Sequence, residues 1–391
     1  MNNFKILSSE YGAFREEIQE FFRRILREPS VILDPMAGTA PLIPFVETNG
    51  HIGYFNDILP VHFFINRAKT YQVFQSYQQN GYDWYFQQLL YCMASLEGKV
   101  LCISDKWIDD SILNGLKEGW QKTEEYDENS ATLLKATILL CVRPLSSTTK
   151  SKNPTWLKYG GMSSGKHLKE IVGESLTRFD KYYHHSYRSR LIKRGDCIIT
   201  NQNATELELS EKVDFILTSP PYCNRLDPIV QYGPEIYFLS ALGHTIPKEG
   251  LVTTTRVRDY YKLAHDFENL TTQSKYACRL LTKIKESPIS DDPGYYLKYY
   301  TRYFAVLFQV IDKALINLAP TGKIYMVTQD NTHRGELIEI DRLLGELLQV
   351  SGWHSRVIKK WERHHQGLRN VSRNHAFVRP KQLEKLMVLW R

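Results

Sequence analysis

The chain has 391 residues, 42% apolar and 24% charged, with 22 Gly and 16 Pro, which fits about two or three folded domains and excludes collagenous or low-complexity architectures. Fifty Lys and Arg against 43 Asp and Glu give a net charge of +7, a balance that suits an anionic partner without requiring one. No apolar run reaches the ~18 residues of a membrane span, the start Met1-Asn2-Asn3-Phe4-Lys5 lacks a secretory apolar stretch, and the six Cys show no CxxC spacing, so a cytoplasmic protein with reduced thiols and no membrane partner is expected.

Val31-Ile32-Leu33 followed by Asp34-Pro35-Met36-Ala37-Gly38-Thr39-Ala40 predicts a buried strand ending in a small-residue turn. A helix is expected from Pro41 to Val46, with Thr39 as its cap. His51-Ile52-Gly53-Tyr54-Phe55 predicts a second strand that ends at Asn56-Asp57, and Pro60 to Gln72 the next helix. Residues 31–72 thus spell a βαβ unit. Alternation then pauses. Tyr82 to Leu96, Ile108 to Gln121 and Ser130 to Val142 carry helical patterns, and the polar, basic stretch Arg143 to Trp156 reads as a loop.

Strands resume at Cys197 to Thr200 and Val213 to Leu217, the second leading into Thr218-Ser219-Pro220-Pro221-Tyr222. An irregular region is expected over about 225–294, then a long amphipathic helix from Tyr295 to Leu318 and a buried strand from Gly322 to Thr328. Leu337 to Val350 predicts a helix that Gly352 is placed to end, and Leu386 to Trp390 predicts a final strand.

The sharpest chemical signal is Ser219-Pro220-Pro221-Tyr222 directly after a buried strand. Two consecutive prolines fix two φ angles at roughly −65° and remove two N–H donors. A hydroxyl and a backbone carbonyl at such a corner can accept both hydrogens of an exocyclic amine, and a tyrosine ring can stack on the base that carries it. An ordinary proline turn with an exposed tyrosine would look the same in isolation.

Together, Asp34-Pro35-Met36-Ala37-Gly38-Thr39-Ala40 and Thr218-Ser219-Pro220-Pro221-Tyr222 resemble the motifs of the amino-methylating DNA methyltransferases. That family moves a methyl group from S-adenosylmethionine to N4 of cytosine or N6 of adenine. The Thr-Ser-Pro-Pro-Tyr form is commonest among its N4-cytosine enzymes, and the string Ser219 to Asp227 resembles a subset of restriction-modification methylases. The resemblance implies an α/β fold: a seven-stranded, mostly parallel Rossmann-like methyltransferase sheet with a C-terminal antiparallel strand and inserted, largely helical target-recognition regions. The core would occupy 1–77 and 191–391, with insertions at 78–190 and about 225–294.

By the same resemblance, Ser219, Pro220, Pro221 and Tyr222 would be catalytic. Asp34, Pro35, Ala37 and Gly38 would surround the methionine part of the cofactor, Asp57 would accept from the ribose hydroxyls and Ile58 would pack on the adenine. Asn203 and Ala204 fall where the family often has an acid reading the adenine amine, with Asp196 as the competing candidate, and Phe14 falls at an N-terminal cofactor contact. Ala40 stands where the family's last glycine would be, and Pro41 follows it. The implied partners are double-stranded DNA and a cognate restriction endonuclease. An N6-adenine enzyme and an RNA base-amine methyltransferase are the alternative readings.

Other features have plainer explanations. None of the six Cys follows a proline, as a carbon-5 methylase would need, and Cys223 reads as a packing residue. The clusters Tyr187 to Arg194 and Lys359 to Lys381 could track phosphates or simply be solvated. His364-His365 lacks further ligands at a telling spacing, and the glycine-rich stretch before Lys166 breaks the P-loop pattern.

Overall fold

A computed structural model describes residues 16–97, 106–150, 157–160, 165–187, 195–223, 227–245, 250–254, 260–286, 293–333, 336–362 and 382–391. In chain order its elements are α1 (Glu16–Ile25), β1 (Val31–Asp34), α2 (Ile43–Asn49), β2 (Ile52–Asn56), α3 (Pro60–Arg67), α4 (Tyr71–Asn80), α5 (Tyr82–Cys92), α6 (Asp110–Lys122), α7 (Glu128–Leu145), β3 (Thr148–Lys150), β4 (Leu157–Tyr159), α8 (Leu168–Ser186) and β5 (Asp196–Thr200). They continue as β6 (Val213–Thr218), α9 (Pro228–Gln231), α10 (Gly233–Ala241), α11 (Tyr260–Gln273), α12 (Lys275–Glu286), α13 (Pro293–Asn317), β7 (Leu318–Gln329), β8 (Asn331–His333), β9 (Glu336–Ile338), α14 (Ile340–Gln349), β10 (His354–Glu362) and β11 (Leu383–Trp390).

Seven strands form one sheet in the order β10-β11-β7-β6-β1-β2-β5. The pairs β1/β6, β6/β7 and β2/β5 are parallel, and β11 runs antiparallel to both β7 and β10. The expected α/β class, mostly parallel sheet and antiparallel C-terminal strand are therefore present. Parallel strands covered on both faces need continuous apolar runs. Ile32 and Leu33 of β1 and Ile216 and Leu217 of β6 supply them and are fully buried, in the register Ile32↔Phe215 and Leu33↔Ile216. No helix among the described residues is long and apolar enough to cross a membrane.

The chain divides into two compact units. One comprises Met1–Pro29, Gly38–Asn201 and Pro228–Ile246. Its central helix is α7, buried almost all round, as a core helix must be if it is apolar on every face. Asp127 caps it by accepting from Asn129 N and Ser130 N. The guanidinium of Arg143 ties α7 to α10 through both carboxylate oxygens of Glu235, each at 2.7 Å, and to the Gln231 carbonyl at 2.8 Å. The other unit comprises Ser30–Ala37, Gln202–Asp227 and Pro247–Arg391. There α13 is buried at every position from Tyr299 to Leu307 and again at Val310 and Ile311, so its middle turns lie in the core on all faces.

Several boundaries differ from expectation. α2 starts at Ile43 rather than Pro41, and its N-cap is Leu42 with no side-chain cap bond, so Thr39 does not cap it. The helix expected over 60–72 is broken at Ala68–Thr70 into α3 and α4, which turns Lys69 inward. The stretch expected as a loop from Arg143 instead extends α7 to Leu145 and then enters the hairpin β3/β4; Asn153 to Trp156 lie outside the described residues. The region expected to be irregular carries α9, α10, α11 and α12. Pro234 there is a helix starter, since the first turn has no partner for its missing N–H.

Candidate functional site

The loop after β1 is tied to the strand that carries the diproline corner. Asp34, at the end of β1 and 1% exposed, accepts from the Thr218 hydroxyl at 2.8 Å and from Met36 N at 3.3 Å. Thr218 is the last residue of β6, immediately before Ser219. Pro35 and Ala37 are buried. Gly38 has φ +54°, and a Cβ built on it would meet nothing within 4 Å. A glycine is thus favoured there by the sign of φ rather than by crowding. Ala40 has φ +41° and is the one non-glycine residue in the left-handed region among the described residues. The position where the family pattern has a glycine therefore keeps glycine-like geometry, at a steric cost of about 1 kcal/mol for the alanine.

Asp57 follows β2 and grips the other end of the loop. Its Oδ2 accepts from Gly38 N at 2.8 Å, its Oδ1 accepts from Leu59 N at 2.8 Å, and His62 Nδ1 lies 3.1 Å from Oδ1. Burial alone would raise the Asp57 pKa, but His62 and the two backbone amides outweigh it and hold the carboxyl below its usual value. A carboxylate offers about four lone-pair sites. Two are engaged by backbone amides, so Asp57 keeps acceptor capacity for further donors. His62 Nε2 meets the Tyr232 hydroxyl at 2.9 Å, and both of these residues are buried. Ile58 is half-buried.

Two residues of the α3–α4 region hold the loop from beneath. Asn66 Nδ2 donates to the Gly38 carbonyl at 2.8 Å. Lys69, 1% exposed, donates from Nζ to the carbonyls of Thr39 and Ala40 and lies 5.1 Å from the centre of the Tyr182 ring. Burial pushes its pKa down to about 7.

At the corner, Ser219 is half-buried and its hydroxyl has no hydrogen-bond partner among the described residues; the same holds for the Pro220 carbonyl. The Pro221 carbonyl, by contrast, accepts from the buried Tyr303 hydroxyl at 2.7 Å. The half-buried Tyr222 donates to Glu384 Oε1 at 2.6 Å. Cys223 is buried, in keeping with a packing role.

Asn203 lies past the carboxyl end of β5, but its side chain closes a local turn, accepting from Thr205 N at 3.2 Å and donating to Glu206 at 3.1 Å. Ala204 is buried. Asp196 opens β5 opposite Ile52, the first residue of β2. It therefore lies at the strand end remote from Asp57, whereas ligands of open parallel sheets sit at the carboxyl ends. Phe14, Asn224, Arg225, the basic residues Arg188 to Arg194 and the stretch 363–381 lie outside the described residues. Lys359 and Lys360 are exposed on β10. Lys166 is ion-paired with Glu170 and Glu174 rather than placed for a phosphate.

Sequence reading missed His62, Lys69, Tyr232, Tyr303 and Glu384, which act on the motif residues from remote positions. It also missed Lys385, whose buried Nζ lies 2.9, 3.2 and 2.8 Å from Asp330, Glu339 and Asp341. Those three carboxylates are close enough together to suggest a cation site, and the lysine ammonium already supplies the positive charge.

No known protein-family signature matches the chain, and no curated protein matches it. The reading of the site rests on its own chemistry.

Proposed function

We propose that the chain is an S-adenosylmethionine-dependent DNA methyltransferase that modifies the exocyclic N4 of a flipped cytosine, as the modification enzyme of a restriction-modification system. The observation that carries this is the diproline corner. At Ser219 and Pro220, a hydroxyl and a backbone carbonyl with no partner among the described residues follow a strand whose last side chain is bonded to Asp34 at the head of the glycine turn.

The cofactor supplies the methyl group as an electrophile on a sulfonium. The residues present fit it: Gly38 leaves open space beside the loop, and Asp57 keeps acceptor capacity for hydroxyl donors. An exocyclic amine is a poor nucleophile because its lone pair is delocalised into the ring. Acceptors at Ser219 Oγ and Pro220 O would take its two N–H groups, favour a pyramidal nitrogen and aim the lone pair at the methyl carbon. The surplus proton of the methylated amine would leave for water. Holding the reactants in line supplies much of the acceleration in such a site. Tyr222 would stack on the extruded base. Target reading would come from 78–190, from 225–294 or from both, whose described parts are largely helical. A cognate endonuclease would share the target sequence.

The test is transfer of a labelled methyl group from S-adenosylmethionine to duplex DNA and, separately, to total RNA. Label in DNA alone supports the proposal. Label in RNA alone supports the RNA alternative, and label in neither rejects methyl transfer.

A further inference from the structure

Glu384 is a buried carboxylate near the start of a strand that is paired on both sides. It is 5% exposed, lies on β11 and sits directly opposite Gln329 of β7 in the antiparallel register. Opposed residues share a face of the sheet. The next residue, Lys385, turns to the other face, where Asp330, Glu339 and Asp341 engage it. A carboxylate buried in this way is costly unless hydrogen-bonded. The Tyr222 hydroxyl donates to its Oε1 at 2.6 Å. Beside it the Gln329 amide, 3% exposed, keeps an oxygen without a partner. The corner is braced a second time from α13, where Tyr303 donates to the Pro221 carbonyl.

We infer that Glu384 is a positioning residue for Tyr222: it fixes the far end of the phenol and so sets the plane in which the ring meets the target base. This rests on the methyltransferase reading. A tyrosine needs no hydroxyl merely to stack, and a ring free to turn about two side-chain torsions would meet the base in many orientations. The bond to Glu384 selects one. The partner comes from the last strand of the fold, 162 residues along the chain, so the catalytic corner is oriented by the sheet itself.

Three variants separate the contributions. Tyr222→Phe removes the hydroxyl and keeps the ring, Glu384→Ala removes the acceptor, and Glu384→Gln keeps an acceptor oxygen. Steady-state kinetics on duplex DNA should show kcat down roughly ten- to a hundred-fold in Tyr222→Phe and in Glu384→Ala, the range expected for one charge-assisted hydrogen bond. Glu384→Gln should fall only a few-fold. The double variant Tyr222→Phe/Glu384→Ala should be no worse than either single one. Cofactor affinity, measured by calorimetry, should be unchanged throughout. Protein labelled with 13Cζ-tyrosine provides a readout that needs no turnover. The Tyr222 signal, assigned by its loss in Tyr222→Phe, should shift in Glu384→Gln and in Glu384→Ala. Should Glu384→Ala fail to fold, Glu384→Gln and Tyr222→Phe still carry the comparison. An active wild type with full kcat in Glu384→Ala, single-variant losses that multiply in the double variant, or a Tyr222 signal indifferent to position 384 overturns the positioning role alone. A wild type that transfers no methyl group overturns the functional reading and this role with it.

Discussion

Asp57→Asn is a sharper probe of the loop than Asp57→Ala, because it keeps the shape and changes only charge and donor pattern. Each carboxylate oxygen accepts a backbone N–H, Oδ2 from Gly38 and Oδ1 from Leu59, both at 2.8 Å. An asparagine has one acceptor oxygen and one NH2, so it must set a donor against one of those N–H groups. It also loses the charge that faces His62 Nδ1 at 3.1 Å. One lost charge-assisted bond plus one unsatisfied, nearly buried N–H predicts a loss of about 2–4 kcal/mol at pH 7. The sign with pH is fixed. Asp57 has a depressed pKa in the folded protein, so its contribution is complete above the unfolded carboxylate value of about 3.9 and is lost as pH falls through the folded value. Urea titrations followed by tryptophan fluorescence should therefore give a wild-type advantage that is flat from pH 8 to pH 5 and shrinks in stronger acid. If the asparagine variant matches wild type at pH 7, the Gly38–Asp57 bond does not hold the loop and the reasoning fails.

Further expectations follow from the buried charges and the corner. Lys69 has a folded-state pKa near 7, pushed down by burial, against about 10.4 unfolded. The unfolded chain then binds more protons between those values, so this residue makes stability rise with pH from about 7 to 10. Lys69→Met should remove a few kcal/mol of that rise, seen as thermal midpoints of the two proteins converging at high pH, while parallel curves would refute the assignment. Lys385→Met strands three carboxylates and should cost about 3–5 kcal/mol, with partial recovery in acid; a variant as stable as wild type in a urea titration would show that the cluster is not coupled through the lysine. Tyr222→Ala should keep cofactor binding by calorimetry and lose at least about a hundred-fold in turnover, whereas near-normal rates would remove Tyr222 from the base-stacking role.

The sheet was legible where burial imposes a pattern. The runs Val31 to Leu33, Val213 to Leu217 and Gly322 to Thr328 had to be apolar because they lie in the sheet interior, and β1, β6 and β7 include them. β10 escaped notice for the converse reason. It is an edge strand, exposed along most of its length, so Arg356, Lys359 and Lys360 look like part of a basic tail. α8 was hard to read because polar and aromatic residues dilute its stripe, whereas Tyr276, Ala277, Leu280, Leu281 and Ile284 recur at helical spacing on the buried face of α12.

The motif residues of the site were legible because diproline and glycine-turn chemistry is local. Their supports were not. Thr218 meets Asp34 across 184 positions, Tyr232 meets His62 across 170, and Tyr222 meets Glu384 across 162. No spacing rule reaches that far. Ala40 carries a backbone demand that its identity hides: only its left-handed φ reveals it.

The most direct test is mass analysis of nucleosides from duplex DNA incubated with the wild-type protein and S-adenosylmethionine, beside a Ser219→Ala control. N4-methyldeoxycytidine made by the wild type and strongly reduced in the control is the predicted result. Unmodified nucleosides, or a methylated base formed equally well without the Ser219 hydroxyl, would contradict the account of the corner.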